Sequence, residues 1–422
     1  MREEFLHFLW RWRRFDARDL QTTDGQPLEV VHPGEPNTHA GPDFFNARIR
    51  IGDTLWAGNV EIHLRASEWL AHRHDTNRAY DSVVLHVVLD EDEPVVRPNG
   101  QRLPCLTLRT RIPPGLLEQY QRLLHAREWV PCAPRLEEVS PIVKVNWLDR
   151  LLVERLQEKT EAVAHRVAAS GNHWEEAFYR QLAYSFGLKI NADAFETLAR
   201  FTPLSLLARH QDNLLQLEAL LFGQAGLLEE APADEYSQAL TREYRFLQHK
   251  YQLKPLAASQ WKFFRLRPTS FPTVRLAQLA ALLHRRPLLF SALLDAPETH
   301  DMERLFDVEV SSYWLTHYRF GKPTGARKKS LAPAFVHLLL INTVAPFLFH
   351  YGRDKGIAEY RDRALRLLDG LPPEKNAILE RWAQLGLTPK NAAHSQALLH
   401  LKTHYCQPLR CLECAIGTAL LR

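Results

Sequence analysis

The spacing of hydrophobic residues changes character along this chain of 422 residues. Before about residue 110, short runs rich in β-branched and aromatic residues are separated by Gly, Pro and Asn, as is typical of strands and turns. After residue 141, the spacing becomes that of amphipathic helices, and strand-like runs almost disappear. We therefore predict an α+β protein with a mixed N-terminal domain, residues 1–130, followed by a large all-α domain, residues 141–422.

The N-terminal part is predicted to contain one helix, three strands, a second helical segment and one or two further strands. The two helical segments cover residues 2–15 and 67–80. The strands are predicted at residues 28–31, 46–51, 54–62, 82–89 and 103–109. The C-terminal part shows no fixed-period repeat. Its helices are predicted at residues 148–169, 174–186, 213–222, 236–252, 273–283 and 359–368, and a Pro-bearing stretch, 129–141, is the predicted link.

Composition limits the class of protein. Hydrophobic residues make up 45% and charged residues 24% of the chain, which excludes long disorder, a collagen and a disulfide scaffold. Five Cys in this length favour a reduced, intracellular protein. The early charges at Arg2, Glu3 and Glu4 argue against a signal peptide. The nearly charge-free segment 331–349 is interpreted as a buried core helix. We therefore expect a cytoplasmic protein with no membrane partner.

The best candidate for a chemical site lies in residues 41–63. Asp43 opens one predicted strand, and Glu61 and His63 lie two residues apart near the end of the next, so these two face the same side of the sheet. If the two strands pair as a hairpin, Asp43 and Glu61 meet at one end. Two carboxylates at that range need a cation to offset their repulsion, and Mg²⁺ or Mn²⁺ is the usual ion for oxygen ligands.

Further histidines lie close by in the sequence. His72 and His74 are on the second helical segment, and His86 is on the next strand. With Glu61 and His63, His74 and His86 could build a site for Mn, Fe or Zn instead of Mg. A neutral His63 could also be a general base near pH 7. Any one of these histidines alone is more simply a hydrogen-bonded, half-buried side chain, but the cluster with two carboxylates indicates a site.

The Pro-Asp pair ending at Asp43 and the triplet Glu61-Ile62-His63 resemble the signature of the PD-(D/E)XK nucleases, with His in place of the usual Lys. The predicted order of elements over residues 1–110 is similar to the αβββαβ fold of those enzymes. The resemblance implies that Asp43, Glu61 and the carbonyl group of Ile62 hold a divalent metal ion. Such an ion activates water and stabilises phosphoryl oxygens.

The same resemblance assigns a role to Glu4. Many of these nucleases carry an accessory acidic residue on the first helix, and Glu4 stands at that place. The predicted catalytic residues are therefore Asp43, Glu61, His63 and Glu4. The departure at His63 leaves open whether the chemistry is retained.

Three of the five cysteines lie close together near the C-terminus, in the pattern His404-x-Cys406-x₄-Cys411-x₂-Cys414. A fourth ligand would come from His404 or from Cys132. Either set suits structural Zn²⁺, and four Cys equally suit a [4Fe–4S] cluster. Some PD-(D/E)XK nucleases join a C-terminal Cys trio to one distant Cys, and this resemblance favours Cys132. The alternative is a group of unliganded thiols; the fifth cysteine, Cys105, is predicted to lie in the core.

Two long tracts of the C-terminal part contain no acidic residue. Residues 244–294 carry nine Lys or Arg and residues 310–353 carry six, which suggests a surface for a polyanion. Interleaved aromatic residues could stack on bases, and the glycine-bearing loop 319–329 could bind phosphates. The alternative is a solvated rim around core aromatic residues. The predicted nucleic-acid-binding residues are Arg265, Arg267, Arg275, Arg319, Lys322, Arg327, Lys328 and Lys329.

Over nearly its whole length, the chain resembles a bacterial family, common in Bacteroidetes-type bacteria, that is catalogued as a domain of unknown function. The resemblance is carried by residues 41–44, 58–63, 85–88, 271–278 and 405–417. It implies no activity. Our leading hypothesis is a metal-dependent nuclease that hydrolyses phosphodiester bonds in DNA or RNA. The alternatives are a catalytically inactive nucleic-acid-binding protein with a nuclease-like domain, and a metallohydrolase acting on a small phosphorylated or amide substrate.

Overall fold

Six strands form one mixed sheet in the N-terminal part of the chain, and helices make up nearly all the regular structure that follows. The structure is a computed structural model, which describes residues 1–37, 39–229, 231 and 234–421. The predicted α+β class is confirmed. The strands are β1 (Leu28–His32), β2 (Glu35–Pro36), β3 (Phe44–Ile51), β4 (Thr54–Arg65), β5 (Val83–Asp90) and β6 (Cys105–Thr107).

The helices are α1 (Glu3–Arg11), α2 (Glu68–Ala71), α3 (Leu116–Leu124), α4 (Pro141–Ala169), α5 (Trp174–Phe186), α6 (Leu188–Phe201), α7 (Leu204–Leu207), α8 (Leu214–Gln224), α9 (Glu235–Tyr251), α10 (Pro272–Arg285), α11 (Leu289–Asp295), α12 (Thr299–Leu305), α13 (Ser312–Thr316), α14 (Pro333–Leu339), α15 (Ala345–Asp354), α16 (Ala358–Gly370), α17 (Ala377–Gln384), α18 (Ala392–His400) and α19 (Ala415–Leu420). The six helices predicted after residue 141 correspond to α4, α5, α8, α9, α10 and α16. The core helix interpreted at residues 331–349 corresponds to α14 and α15, and the other helices of that part were not predicted. Two π-helical turns, Leu340–Val344 and Leu401–Cys406, extend α14 and α18.

The strands are arranged in the order β1-β3-β4-β5-β6, and β2 pairs with the end of β3. The pairs β1/β3 and β3/β4 are antiparallel, whereas β4/β5 and β5/β6 are parallel. Strand β4 is therefore hydrogen-bonded on both sides, and its second half is buried. Glu61 lies opposite His86 of β5 in the parallel register. This register brings polar residues of two neighbouring strands together inside the sheet.

A glycine allows β4 and β5 to approach each other. A Cβ atom at Gly58 would overlap the side chain of Val84 and would lie 2.6 Å from the carbonyl oxygen of Ser82. The amide of the next residue, Asn59, donates to that same Ser82 carbonyl at 2.9 Å. Gly58 thus permits the close pairing that sets the register at Glu61.

The segment that connects β4 to β5 differs from the single helix predicted at residues 67–80. It consists of the one-turn helix α2 and two short 3₁₀ turns, His74–Thr76 and Arg78–Tyr80. Arg73 adopts a left-handed conformation with φ of 59°, which ends the first helical turn. The chain therefore changes direction between His72 and His74.

The chain divides into two units. Unit 1 comprises Met1–Trp147 and Leu401–Arg422, and unit 2 comprises Leu148–His400. The prediction assigned residues 401–422 to the helical domain, whereas these residues group with the sheet. Within unit 1, Lys402 donates to the carbonyl oxygen of Trp129 at 2.6 Å, and the rings of Tyr405 and Trp147 meet edge to face at 5.2 Å.

One helical stretch in unit 2 is long and apolar enough to cross a membrane, judged by its length and composition alone. Residues Pro333–Asp354 have a mean hydropathy of 1.5, but 67% of the most apolar window is buried within the protein. This burial is what the core helix of a folded domain shows, and it agrees with the interpretation of residues 331–349 given above.

Candidate metal centre

Asp43 and Glu61 meet at the end of the β3–β4 hairpin, as their positions in the sequence predict. The backbone amide of Asp43 donates to Glu61 Oε2 at 3.1 Å, and the backbone amide of Ile62 donates to Asp43 Oδ2 at 3.0 Å. Each carboxylate is thus held by the strand that carries the other. Glu61 is buried, with 4% of its surface exposed.

Two imidazoles flank the other carboxylate oxygen of Glu61, and a third lies beside one of them. Glu61 Oε1 lies 3.2 Å from His74 Nε2 and 3.6 Å from His63 Nε2. His63 Nε2 in turn lies 3.2 Å from His72 Nδ1, and one ring nitrogen from each of the three histidines lies within 4.8 Å of the other two. Nitrogen and oxygen donors bound to one tetrahedral ion at about 2.0–2.2 Å are about 3.3–3.6 Å apart. The spacing of these donors therefore fits a shared metal ion.

His74 supplies a further sign that these atoms face a common point. Its Nε2 is buried and makes no hydrogen bond to any described residue, although Glu61 Oε1 is only 3.2 Å away. The ring is fixed from behind by Tyr80, which stacks on it at 3.8 Å. A buried polar atom without a hydrogen bond is costly unless something else satisfies it, and a metal ion would do so.

His86, which we predicted as a ligand, lies behind the centre rather than in it. Its Nε2 is 2.9 Å from His63 Nδ1, on the side of the His63 ring that faces away from Glu61. When His63 binds a metal through Nε2, the proton must be on Nδ1, and Nδ1 then donates to His86. In that case His86 would orient His63, as outer partners of metal-binding histidines commonly do.

Burial sets the charges of this cluster. It raises the pKa of Glu61 to about 8, and the neighbouring Asp43 carboxylate adds to the increase. Burial lowers the pKa of His63 to about 3, with the nearby His86 acting in the same direction, and it also lowers the pKa of His86 to about 3. Burial and the neighbouring His72 lower the pKa of His74. The buried imidazoles of His63, His74 and His86 are thus neutral, and neutral imidazole is the form that binds metals.

The first helix contributes Glu3 and His7 rather than the predicted Glu4. His7 Nε2 lies 3.3 Å from Asp43 Oδ2 and 3.5 Å from Glu3 Oε1. Burial alone would lower the pKa of His7, but its contacts with the Asp43 and Glu3 carboxylates outweigh burial and raise the pKa to about 9. Glu4 is exposed at the surface. Residues 3 and 7 share one face of a helix because they are four apart, which is the signal that could have identified them.

The C-terminal cysteines lie in unit 1 with Cys132, and all four thiols are buried and free. Burial raises the pKa of Cys132 to about 12, and Cys414 and Cys411 increase it further. Burial also raises the pKa of Cys406 above its usual range, and the nearby Cys132 is the next largest cause of that increase. The four thiols are therefore close enough to influence one another, whereas His404 bonds to its neighbour Thr403 at 2.9 Å.

The spacing of the thiols bears on the type of metal. Within the described part of the chain, no three of the four sulfur atoms lie within 4.8 Å of one another. Thiolates bound to one Zn²⁺ at about 2.3 Å are about 3.8 Å apart. A [4Fe–4S] cluster places each thiolate on a different iron and so holds the sulfur atoms farther apart. The observed arrangement is more open than a closed zinc site.

The predicted nucleic-acid-binding cations fall into two classes. Arg275 and Lys329 are buried, with 7% and 4% of their surfaces exposed. Arg275 stacks on Phe335 at 3.5 Å, and Lys329 donates to the carbonyl oxygen of Leu315 at 2.8 Å. Burial lowers the pKa of Arg275 to about 10. These two residues belong to the core of unit 2.

The remaining cations are at or near the surface. Arg319 is half-buried and packs on Phe263 and Phe271 at 4.4 and 4.7 Å, and Lys328 pairs with Glu309 at 3.1 Å. The exposed cations outside these contacts are Arg265, Arg267, Lys322 and Arg327. Phe264 is 80% exposed beside Arg265, whereas the neighbouring tract residues Trp261, Trp314 and Phe320 are core.

The comparisons with known proteins place the chain in a family. No curated protein and no solved structure matches it. The resemblance to PD-(D/E)XK nucleases therefore stays a prediction, whereas the broader resemblance to a domain of unknown function is confirmed. A family model described as Protein of unknown function (DUF2851) matches residues 3–377, and the chain belongs to that family.

Proposed function

We propose that unit 1 is a metal-dependent hydrolase that cleaves phosphodiester bonds in DNA or RNA. The observation that carries the proposal is the cluster formed by one ring nitrogen each from His63, His72 and His74. Glu61 Oε1 lies beside two of them, and the Asp43 amide is hydrogen-bonded to the same Glu61 carboxylate. These groups come from two separate segments, β4 and its connection to β5, and their joint burial is costly unless they are satisfied. A metal ion explains both their spacing and the absence of a hydrogen bond at His74 Nε2 among the described residues.

The donor set indicates which ion would be bound. Three imidazoles and a carboxylate favour Mn²⁺, Fe²⁺ or Zn²⁺ over Mg²⁺, which prefers oxygen ligands. Bound there, such an ion would supply a Lewis acid that stabilises negative charge on phosphoryl oxygens and activates a water molecule. Asp43 would remain available beside the ion, where a carboxylate can bind a second cation or accept a proton.

Two further features support a nucleic-acid substrate. The helix–strands–helix–strand order of unit 1 is similar to that of the PD-(D/E)XK nucleases, with Asp43 and Glu61 at the positions that the signature assigns to acidic ligands. Unit 2 carries exposed cations at Arg265, Arg267 and Arg327, and the exposed ring of Phe264 is suited to stack on a base.

Removal of His72 should weaken metal binding without unfolding the protein, because this side chain is exposed while it contributes one of the converging nitrogens. We expect His72→Ala to lower the affinity for Mn²⁺ or Zn²⁺ by at least about 10-fold, measured by isothermal titration calorimetry. His165→Ala, at an exposed histidine of unit 2, is the matched control and should bind the metal like the unaltered chain. Equal affinity in His72→Ala and the control would remove His72 from the site.

Cleavage of DNA or RNA should depend on the two central carboxylates. With Mn²⁺ present, we expect Asp43→Asn and Glu61→Gln each to reduce the cleavage rate by about 10²-fold or more, because each removes a charge that holds or assists the ion. Glu35→Gln, at an exposed carboxylate of the edge strand β2, should cleave normally. Full activity in both site variants would show that the site is misassigned. A chain that binds metal and nucleic acid but cleaves neither DNA nor RNA would be an inactive binder.

Nucleic-acid binding should weaken with salt in proportion to the phosphates contacted. The double variant Lys322→Ala/Arg327→Ala should flatten the slope of log affinity against log salt by up to about two, because each phosphate contact releases a condensed counterion. The variant Lys375→Ala/Lys390→Ala removes the same charge from exposed positions outside the two basic tracts and should leave the slope unchanged. Identical slopes in the two variants would mean that the 319–329 loop does not contact phosphates. Lys329 is left intact because it holds the Leu315 carbonyl.

We also propose that Cys132, Cys406, Cys411 and Cys414 hold an iron–sulfur cluster, with Zn²⁺ as the alternative. Anaerobically purified protein should then be brown and contain about four irons per chain. Cys411→Ser should lose the iron and lower the melting temperature, since metal binding contributes folding energy. Cys105→Ser, at a thiol in the core of the sheet, should keep the iron. Colourless protein with about one zinc per chain would establish the alternative, and protein without either metal would refute both.

A further inference from the structure

Unit 2 contains a pocket of about 520 Å³ that includes none of the residues of the basic loop 319–329. It is formed by α4, α5, the start of α6, and α14 with the π-helical turn that follows. Its volume is within the range of about 300–1,000 Å³ that is typical of small-molecule sites. Leu188, Leu338 and Leu339 supply apolar walls, and Lys159 and Lys189 supply positive charge.

Lys159 is held at the pocket by neutral groups alone. Its Nζ donates to Asn342 Oδ1 and to Gln396 Oε1, each at 2.9 Å. An ammonium group has three N–H bonds, so one remains for another acceptor. Lys159 forms no ion pair with a described carboxylate, and Glu374 and Glu158 favour its charge only at longer range. The third N–H bond of its ammonium group therefore has no carboxylate partner among the described residues.

A second cation shares the same amide oxygen. Arg155 Nε donates to Gln396 Oε1 at 2.5 Å, so an ammonium and a guanidinium converge on one neutral acceptor. The Nε2 of Gln396 donates to the Glu374 carboxylate, which fixes the amide with its oxygen toward the cations. Two cations on one neutral oxygen repel each other, and an anion bound beside Lys159 would relieve that repulsion.

The backbone beside the pocket is also unusual. Asn342, which holds Lys159, lies within the π-helical turn Leu340–Val344 that interrupts an otherwise continuous helical run. Such turns are rare and are frequently found at functional sites, because the widened turn displaces side chains from their α-helical positions. Thr343 of the same turn bonds to Ser185 of α5 at 2.8 Å, which fixes the turn against the opposite wall.

We propose that this pocket binds a small organic anion, whose phosphate or carboxylate group contacts Lys159 and whose apolar body packs against Leu188, Leu338 and Leu339. Arg166 also lines the pocket, but its guanidinium is engaged by Glu196 at 2.5 Å and contributes mainly structure. Lys189 at the exposed edge adds a second, weaker attraction for the anionic group. The site is separate from the metal centre, which lies in unit 1.

Protonation of Lys159 gives the site a specific dependence on pH. Burial lowers the pKa of Lys159 to about 7, and Arg155 lowers it further, while Glu374 and Glu158 act in the opposite direction. Above pH 7 the free amine is therefore largely neutral. An anion favours the charged form, so binding must take up a proton in this range, and affinity must fall as the pH rises from 7 toward 9.

The test uses the full chain and two probes, phenyl phosphate and benzoate, which share an apolar ring and differ in the anionic group. Isothermal titration calorimetry should show saturable binding of at least one probe, and tighter binding than inorganic phosphate. Lys159→Met should weaken it about tenfold or more, because a charge-assisted hydrogen bond is lost. Lys254→Met, at an exposed lysine outside the pocket, and Asp43→Asn, in the metal centre, should bind as the unaltered chain does.

Proton uptake provides the independent readout. Titrations at pH 8.5 in two buffers of different ionisation enthalpy should reveal uptake of up to about one proton per probe bound, and uptake should vanish in Lys159→Met. If that variant does not fold, the unaltered chain and Lys189→Gln still decide. Binding to the unaltered chain without proton uptake overturns the proposal. An affinity that is undiminished in Lys189→Gln and does not depend on pH also overturns it. It is also overturned if neither probe binds, or if only an oligonucleotide binds through Lys159.

Discussion

Strand β4 is hydrogen-bonded to a neighbour on each side, and this double pairing forces two polar side chains into the interior. Because alternate residues of a strand face the same side, Glu61 and His63 are buried together. The register with β5 places His86 opposite Glu61, and the hairpin with β3 places Asp43 at its end. The other two histidines of the candidate centre, His72 and His74, come from the short connection between β4 and β5. The whole centre is thus built around one strand.

Burial of these groups is costly unless they are satisfied. An unpaired carboxylate in the interior becomes protonated rather than charged, which is the direction in which burial moves the pKa of Glu61. The imidazoles respond in the opposite sense and stay neutral. An ion placed among them would make the charged carboxylate favourable and would use the lone pairs that now face one another. The cation that we propose would offset this penalty, which apolar residues of similar volume would not carry.

Much of this centre is predictable from local rules, and the exceptions have identifiable causes. Strand periodicity and the hairpin suffice to bring Asp43, Glu61 and His63 together. The choice between Glu3 and Glu4 depends on which face of α1 packs on the sheet, and that face is set by Phe5 and its stacking on Tyr120 of α3, which is remote in the sequence.

The positions of the other histidines depend on a break in the backbone that periodicity does not indicate. The left-handed residue Arg73 breaks the expected helix, so His72 and His74 both reach the centre although a regular helix would separate them. The basic tracts show the same limit, because Arg275 and Lys329 look like surface cations in the sequence but lie in the core. Charge alone does not distinguish a residue that binds phosphate from one that caps a carbonyl group.

The position of the C-terminal segment follows from the way in which the chain passes between units. Unit 1 is interrupted in the sequence by all of unit 2, and residues 401–422 return to it after a long excursion. Closing so long a loop costs conformational entropy, although the cost grows only with the logarithm of its length. The contacts of Lys402 and Tyr405 with Trp129 and Trp147 offset part of that cost. A ligand set that joins Cys132 to the C-terminal thiols would act at the same closure, so it would stabilise the sheet unit as a whole without touching the metal centre.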